Sequence, residues 1–120
     1  NVWYAAEDIA KMIKEIDPQH PTTTVTAGLD SVEVQLIKER CPSLDFYSIN
    51  TYGDLDKLPS QIRRWGWDGP YMITEWGPNG HWEVKRAPWG APLEQTSAQK
   101  AESYTRRYQD KIWAERPWCM

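Results

Sequence analysis

A carboxylate at the end of an apolar run is the strongest chemical feature of the sequence. Glu75 closes the run over residues 70–75, and Gly77 and Pro78 follow almost at once. A strand that ends in this way delivers its last side chain to the carboxyl-terminal edge of a sheet, where active sites form in parallel α/β architectures. A Glu at that edge can act as a nucleophile. The alternative is a Glu that merely ends a strand in solvent.

A second strand-like run, residues 44–50, ends in hydrogen-bonding side chains that would lie at the same edge. Asn50 and Tyr52 stand there. A phenol that donates to a carboxylate favours its ionised form and fixes its orientation, as a nucleophile requires. We therefore predict that Tyr52 orients Glu75 and that Asn50 binds substrate. The alternative is that Tyr52 covers the edge of the core and Asn50 forms an Asx-turn.

The connection over residues 77–95 is long, irregular and rich in tryptophan, proline and glycine. Unstructured connections of this length are usually functional or disordered. The broad faces of Trp76, Trp82 and Trp89 suit stacking on a sugar ring, and we place His81 in the same substrate-binding set. The alternative is that these tryptophans pack over the helices. His81 and Glu83 lack a third ligand, so we predict no metal and no cofactor.

Composition narrows the class of ligand. The 14 basic and 17 acidic residues give a net charge of -3, which argues against nucleic acid or an anionic membrane as partner. Eight tryptophans and six tyrosines stand against one phenylalanine, a usage that suits a half-wet binding cleft. Neither a membrane span nor a signal peptide is recognisable. Localisation therefore stays open, with a secreted or periplasmic parent protein as one alternative.

The elements that must position these side chains alternate along the chain. Hydrophobic periodicity and capping residues predict helices over residues 1–16, from Asp30 to Arg40, around 58–64 and after Thr96. Runs of β-branched or apolar residues predict strands over 22–26, 44–50 and 70–75. This order predicts a parallel sheet covered by helices.

Two finer expectations concern the faces of these elements. Strand alternation predicts that Tyr71, Ile73 and Glu75 share one face. If that face is directed to a barrel interior, Glu75 lies at the mouth of the barrel. Helical spacing predicts a buried stripe on the last helix. The residues of that stripe are Ala101, Tyr104, Tyr108 and Ile112.

The two strand ends together carry a resemblance to a known family. Ile49-Asn50-Thr51-Tyr52 followed by Thr74-Glu75-Trp76-Gly77, with a Thr-rich strand after Asp17-Pro18, resembles the barrel domain of family 2 glycoside hydrolases, in the clan of retaining β-glycosidases. The resemblance covers residues 1–112. It implies that the whole chain, 1–120, is one segment from the C-terminal half of a (β/α)8 TIM barrel, an incomplete barrel with strands five to seven. It also implies that Glu75 is the nucleophile and that Tyr52 holds it.

The sequence departs from that family in one respect. The family's acid/base Glu directly follows Asn at the end of strand four, and no Asn-Glu pair occurs among the 120 residues. We expect the proton donor to lie upstream of Asn1 and strand eight to be missing. Residues 116–120 do not continue the resemblance, and we interpret them as a non-native or truncated tail.

The expected function is the hydrolysis of an oligosaccharide or β-glycoside by a retaining β-glycosidase, with this chain inactive by itself. One alternative is a non-catalytic carbohydrate-binding or assembly module that uses the Trp-rich loop. Another is an unrelated α/β domain whose tryptophans only pack. The open strand edges of an incomplete barrel predict self-association.

Overall fold

Helices and strands alternate along the chain in the computed structural model, which describes residues 1–119. The helices are α1 (Val2–Ile16), α2 (Ser31–Arg40), α3 (Leu58–Arg64) and α4 (Ser97–Arg107), and α4 continues as a π-helical segment, Tyr108–Trp113. The strands are β1 (Thr23–Ala27), β2 (Phe46–Thr51) and β3 (Tyr71–Trp76). The predicted α/β class is confirmed, and each strand lies within two residues of its predicted bounds.

Polar side chains begin three of the helices, and the caps at Asp30 and Thr96 were predicted from the sequence. Asp30 accepts hydrogen bonds from the backbone N–H groups of Val32 and Glu33 and so caps α2. Thr96 and Gln99 form a reciprocal capping box at the start of α4. These bonds satisfy N–H groups that have no partner within the helix. Asn1 caps α1 in the same manner.

The three strands form a parallel sheet in the order β1-β2-β3. Helices cover one face of this sheet, and the core lies between the helices and the sheet. Its fully buried members are Val34, Ile37, Tyr47, Ile49, Leu55, Leu58, Ile62 and Tyr71. Within residues 1–119 the sheet does not close on itself, so the eight-stranded barrel stays a prediction.

A bulge in β3 changes the face to which Glu75 points. Ile49 pairs with Ile73, but the next residue of β2, Asn50, pairs with Glu75, so that Thr74 is the extra residue. Tyr71 and Ile73 belong to the helix-covered core. The prediction that they share a face with Glu75 is therefore wrong. Bulges of this kind re-aim side chains next to active sites, and here Glu75 points away from the core.

The buried side of α4 differs from the predicted stripe. Ser103 and Arg107 are its buried residues, whereas Tyr104 and Tyr108 are 45% and 46% exposed. Ala101 is exposed as well, and Ile112 packs against the core from the π-helical segment. Helical spacing alone favoured the aromatic face because it cannot anticipate that a buried arginine has polar partners.

The two edges of the sheet are covered differently. At the β3 edge, the Tyr71 N–H donates to the Trp118 carbonyl at 2.8 Å, and Tyr71 and Cys119 form a parallel bridge. The predicted tail, 116–120, thus lies partly beside β3, and Met120 falls outside the described residues. The outer edge of β1 has no strand beside it in residues 1–119. In that same range, no helix has the length and apolarity to cross a membrane.

Candidate active site

A cavity of about 340 Å³ lies at the carboxyl-terminal edge of the sheet. All three strands or the loops that follow them contribute to it, because the carboxyl ends of parallel strands meet at one edge. Its lining residues are Ala27, Gly28, Asn50, Thr51, Tyr52, Gly53, Asp54, Glu75 and Glu83. Three predicted site residues, Asn50, Tyr52 and Glu75, are therefore brought together.

Tyr52 and Glu75 are in direct contact at this cavity. The Tyr52 hydroxyl donates a hydrogen bond to Glu75 Oε2 at 2.7 Å. This hydrogen bond raises the pKa of Tyr52, and the negative charges of Glu75 and Glu83 raise it further. The phenol therefore keeps its proton and remains a donor.

Asn50 connects the two strand ends. Its side-chain Oδ1 accepts a hydrogen bond from the Thr74 hydroxyl at 2.6 Å, and that hydroxyl is also 3.3 Å from the Ile49 carbonyl. Thr74 is the extra residue of the bulge, so these bonds hold the bulge against β2. Asn50 thus helps to position Glu75 and also lines the cavity.

Two further carboxylates, which the sequence analysis did not assign to the site, line the cavity. Asp54 follows β2, and Glu83 lies on the loop after β3. The Gly80 N–H donates to Glu83 Oε2 at 3.1 Å, which folds the Glu83 side chain back over the cavity. A Cβ on Gly53 would lie 3.1 Å from Asn79 Nδ2 and 3.6 Å from Glu83 Oε1, so the two loops approach closely. Asp54 and Glu83 lie on the loops that follow β2 and β3. That position in the sequence is the signal that could have assigned them to the site.

The other predicted substrate-binding residues lie outside the cavity lining. Trp76 is half-buried and packs edge-to-face on Tyr104, with ring centroids 5.2 Å apart. His81 and Trp82 contact each other at 4.8 Å between centroids. Trp82 and Trp89 are 68% and 80% exposed. Their role in sugar binding stays a prediction, and the structure favours packing for Trp76.

The described residues contain no group of three or more His, Cys, Asp or Glu side chains arranged to hold a metal ion. No protein-family model matches the chain, and no curated protein matches it.

Proposed function

We propose that this chain is the segment of a retaining β-glycosidase that carries the catalytic nucleophile, Glu75. The observation that carries this proposal is the 2.7 Å hydrogen bond from Tyr52 to Glu75, at the end of a parallel sheet and over an open cavity. A strand-end carboxylate with one dedicated phenol donor is suited to attack an electrophilic carbon, because the hydrogen bond keeps it in a fixed orientation.

In the proposed reaction, Glu75 attacks the anomeric carbon of a β-glycoside. The bond to the leaving oxygen breaks while a second carboxylic acid protonates that oxygen, and a covalent glycosyl-enzyme forms. Water, deprotonated by the same second group, then releases the sugar. In retaining enzymes the two carboxyl groups are about 5 to 5.5 Å apart. The hydrogen bond from Tyr52 keeps the Glu75 carboxylate oriented during the first step.

The proposal assigns β1, β2 and β3 to strands five, six and seven of a (β/α)8 barrel. Their parallel order, the helices on one face and Glu75 at the carboxyl-terminal edge are consistent with that assignment. The acid/base group would come from outside this segment. Without it, general acid–base assistance of about 10² to 10⁴-fold is lost, so the isolated chain should hydrolyse little.

The charge of the cavity narrows the proposed substrate. Asp54, Glu75 and Glu83 line it, and no Lys or Arg is found among the lining residues. Negative potential disfavours an anionic ligand. We therefore propose an uncharged β-glycoside or oligosaccharide as substrate in preference to a uronic acid, with Asn50, Asp54 and Glu83 as hydrogen-bonding groups for sugar hydroxyls.

Chemical rescue tests this proposal in the full-length protein that carries the chain. Glu75→Ala should lower kcat on aryl β-glycosides by on the order of 10⁴-fold or more. Azide should then restore turnover and yield an α-configured glycosyl azide, because it attacks from the face that Glu75 has vacated. Glu83→Ala is the matched control at the same cavity and should show no azide rescue. Full activity in Glu75→Ala would refute the proposal.

A second candidate function is non-catalytic carbohydrate binding. The strong exposure of Trp82 and Trp89 on the loop after β3 favours it, since tryptophan at a binding surface offers a large rigid face. In that case Trp82→Ala and Trp89→Ala should abolish oligosaccharide-induced fluorescence changes, while Glu75→Gln leaves them intact. Fluorescence unchanged by any β-glycoside would instead favour an α/β domain in which the tryptophans only pack.

We also propose that copies of this chain associate through the open side of β1. An apolar groove of about 200 Å³ lies between α1 and this strand, and Val25 of β1 is 49% exposed. Unpaired strand edges invite pairing with another chain. Apolar α1 residues extend the exposed surface, namely Ile9, Met12 and Ile16. Light scattering of the chain should show dimers or larger species, and a monodisperse monomer would contradict this.

A further inference from the structure

Helix α4 carries a buried arginine that reaches both strand ends of the candidate active site. Arg107 is only 8% exposed. Its Nη1 donates to the backbone carbonyl of Tyr52 at 3.0 Å and to that of Gly77 at 2.8 Å. Tyr52 directly follows β2, and Gly77 directly follows β3. A single guanidinium therefore joins the two backbone segments on which the hydroxyl donor and the carboxylate stand.

The positive charge of Arg107 is paired with a carboxylate on the loop that follows β2. Asp56, in the loop after β2, lies with Oδ2 3.1 Å from Arg107 Nη2. A buried charge is tolerated only when it is paired and hydrogen-bonded. Even so, Arg107 Nε is buried without a hydrogen-bond partner among the described residues.

The surroundings of Gly77 show how closely α4 approaches. A Cβ at residue 77 would lie 2.9 Å from the Tyr104 hydroxyl, so any larger residue there would require the end of the Tyr104 side chain to shift. Tyr104 also packs edge-to-face on Trp76, the last residue of β3. Helix α4 therefore abuts the end of β3 directly, and Arg107, one turn further along, continues that contact to the end of β2.

We infer that Arg107 is a positioning residue: by joining the Tyr52 and Gly77 carbonyls, it keeps the Tyr52 hydroxyl on the Glu75 carboxylate. The inference rests on the proposed function for the meaning of this pair. The geometry of the pair can nevertheless be measured on the chain itself without any turnover, so the two can fail separately.

The test compares Arg107→Met with Arg106→Met in the full chain. Arg106 is the neighbouring residue, carries the same charge and contacts the same Asp56 at 3.4 Å, but its side chain is 53% exposed and it donates no hydrogen bond to either carbonyl. The readout is the pKa of Tyr52, followed by NMR of tyrosine labelled at Cζ and assigned with Tyr52→Phe.

The direction of the change distinguishes positioning from simple loss of charge. Removing a nearby cation raises the pKa of a phenol, whereas losing a hydrogen bond to a carboxylate lowers it. We expect Arg107→Met to bring the pKa of Tyr52 down toward about 10 and Arg106→Met not to lower it. A folded Arg107→Met chain in which the pKa of Tyr52 is unchanged or higher would overturn the inference.

A second variant covers the outcome in which Arg107→Met does not fold. Burial raises the pKa values of Tyr47 and Tyr71, so a fall in all three tyrosines marks unfolding. Arg107→Lys keeps the charge, but one ammonium cannot reproduce the planar fork that serves two carbonyls and Asp56. It should lower the pKa of Tyr52 alone, and a wild-type value would overturn the inference. If Tyr52 responds as expected while azide rescue fails, only the proposed function is wrong.

Discussion

Glu7 and Glu75 are carboxylates near opposite ends of the sheet, and their surroundings differ in kind. Glu7 is 5% exposed and accepts hydrogen bonds from the Ser43 N–H at 3.0 Å and the Ser43 hydroxyl at 2.8 Å, with Lys11 Nζ 3.2 Å away. Glu75 is exposed, accepts the Tyr52 hydroxyl and lines an open cavity with other carboxylates.

This contrast separates a carboxylate that supports the fold from one that is available for chemistry. Burial raises the pKa of Glu7, but the hydrogen bonds from Ser43 and the charge of Lys11 outweigh it and leave the pKa below its ordinary value. The Glu7 carboxylate is therefore held in one position by Ser43 and Lys11. Glu75 is oriented by a neutral donor and faces a space where a ligand fits, so its position contributes little to holding the fold together.

Alanine substitution at the two positions should give the largest difference. Glu7→Ala leaves the partly buried Ser43 N–H without its partner, and we expect it to lower the free energy of unfolding by about 1–3 kcal/mol. Glu75→Ala removes an exposed group and should change that energy by less than about 0.5 kcal/mol. Urea denaturation measures both. An equal loss of unfolding free energy in the two variants would contradict the view that Glu7 supports the fold and Glu75 does not.

Acid should weaken the amino-terminal end of the sheet first. The pKa of Asp45 is lowered by Lys14 and the Thr22 N–H, and that of Glu7 is lowered as described. Both carboxyl groups bind protons more weakly in the folded than in the unfolded chain. Their stabilisation is therefore complete above the ordinary pKa values, 4.5 for Glu7 and 3.8 for Asp45. It is lost as the pH falls through the lower pKa values of the folded chain.

Thermal denaturation over the range from about pH 6 to about pH 2.5 checks this dependence. The double variant Glu7→Gln, Asp45→Asn should be less stable at the upper end and should lose less on acidification than the wild type. Glu75→Gln serves as the control and should follow the wild-type profile. A double variant with an unchanged profile would show that these two groups do not set the acid response.

The smallest predicted effect is local to the carboxyl-terminal end. Glu75→Gln removes the charge that the Tyr52 hydroxyl faces, so the pKa of Tyr52 should fall toward about 10 without a change in stability. Glu83→Gln is the matched control, since its charge contributes less to the raised pKa. NMR titration of labelled tyrosine measures both variants. A larger fall in Glu83→Gln would place the phenol's main partner on the loop.

Sequence patterns predicted the elements well because each depends on local chemistry. Helix starts at Asp30 and Thr96 follow from side chains that satisfy backbone N–H groups nearby. The meeting of Asn50, Tyr52 and Glu75 was also predictable, because parallel strands bring their carboxyl ends to one edge. These predictions required no knowledge of distant contacts.

Features that depend on distant contacts were missed. The bulge at Thr74 depends on hydrogen bonds to Ile49 and Asn50 of a neighbouring strand, so alternation within β3 could not reveal it. From the sequence, Arg107 is expected to be a surface residue of α4. Only the folded chain shows the carbonyls of residues 52 and 77 to which it donates. The placement of residues 118 and 119 beside β3 likewise depends on contacts with Tyr71 and Arg63.

Peptide mapping after mechanism-based labelling tests the central claim most directly. The full-length protein that carries this chain would be incubated with a panel of activated 2-deoxy-2-fluoro-β-glycosides, digested and analysed by mass spectrometry. The fluorine slows release of the glycosyl-enzyme, so the attacking residue keeps the sugar. We predict a covalent fluoroglycosyl ester on Glu75. A stoichiometric label on any other residue would contradict the assignment of Glu75 as nucleophile.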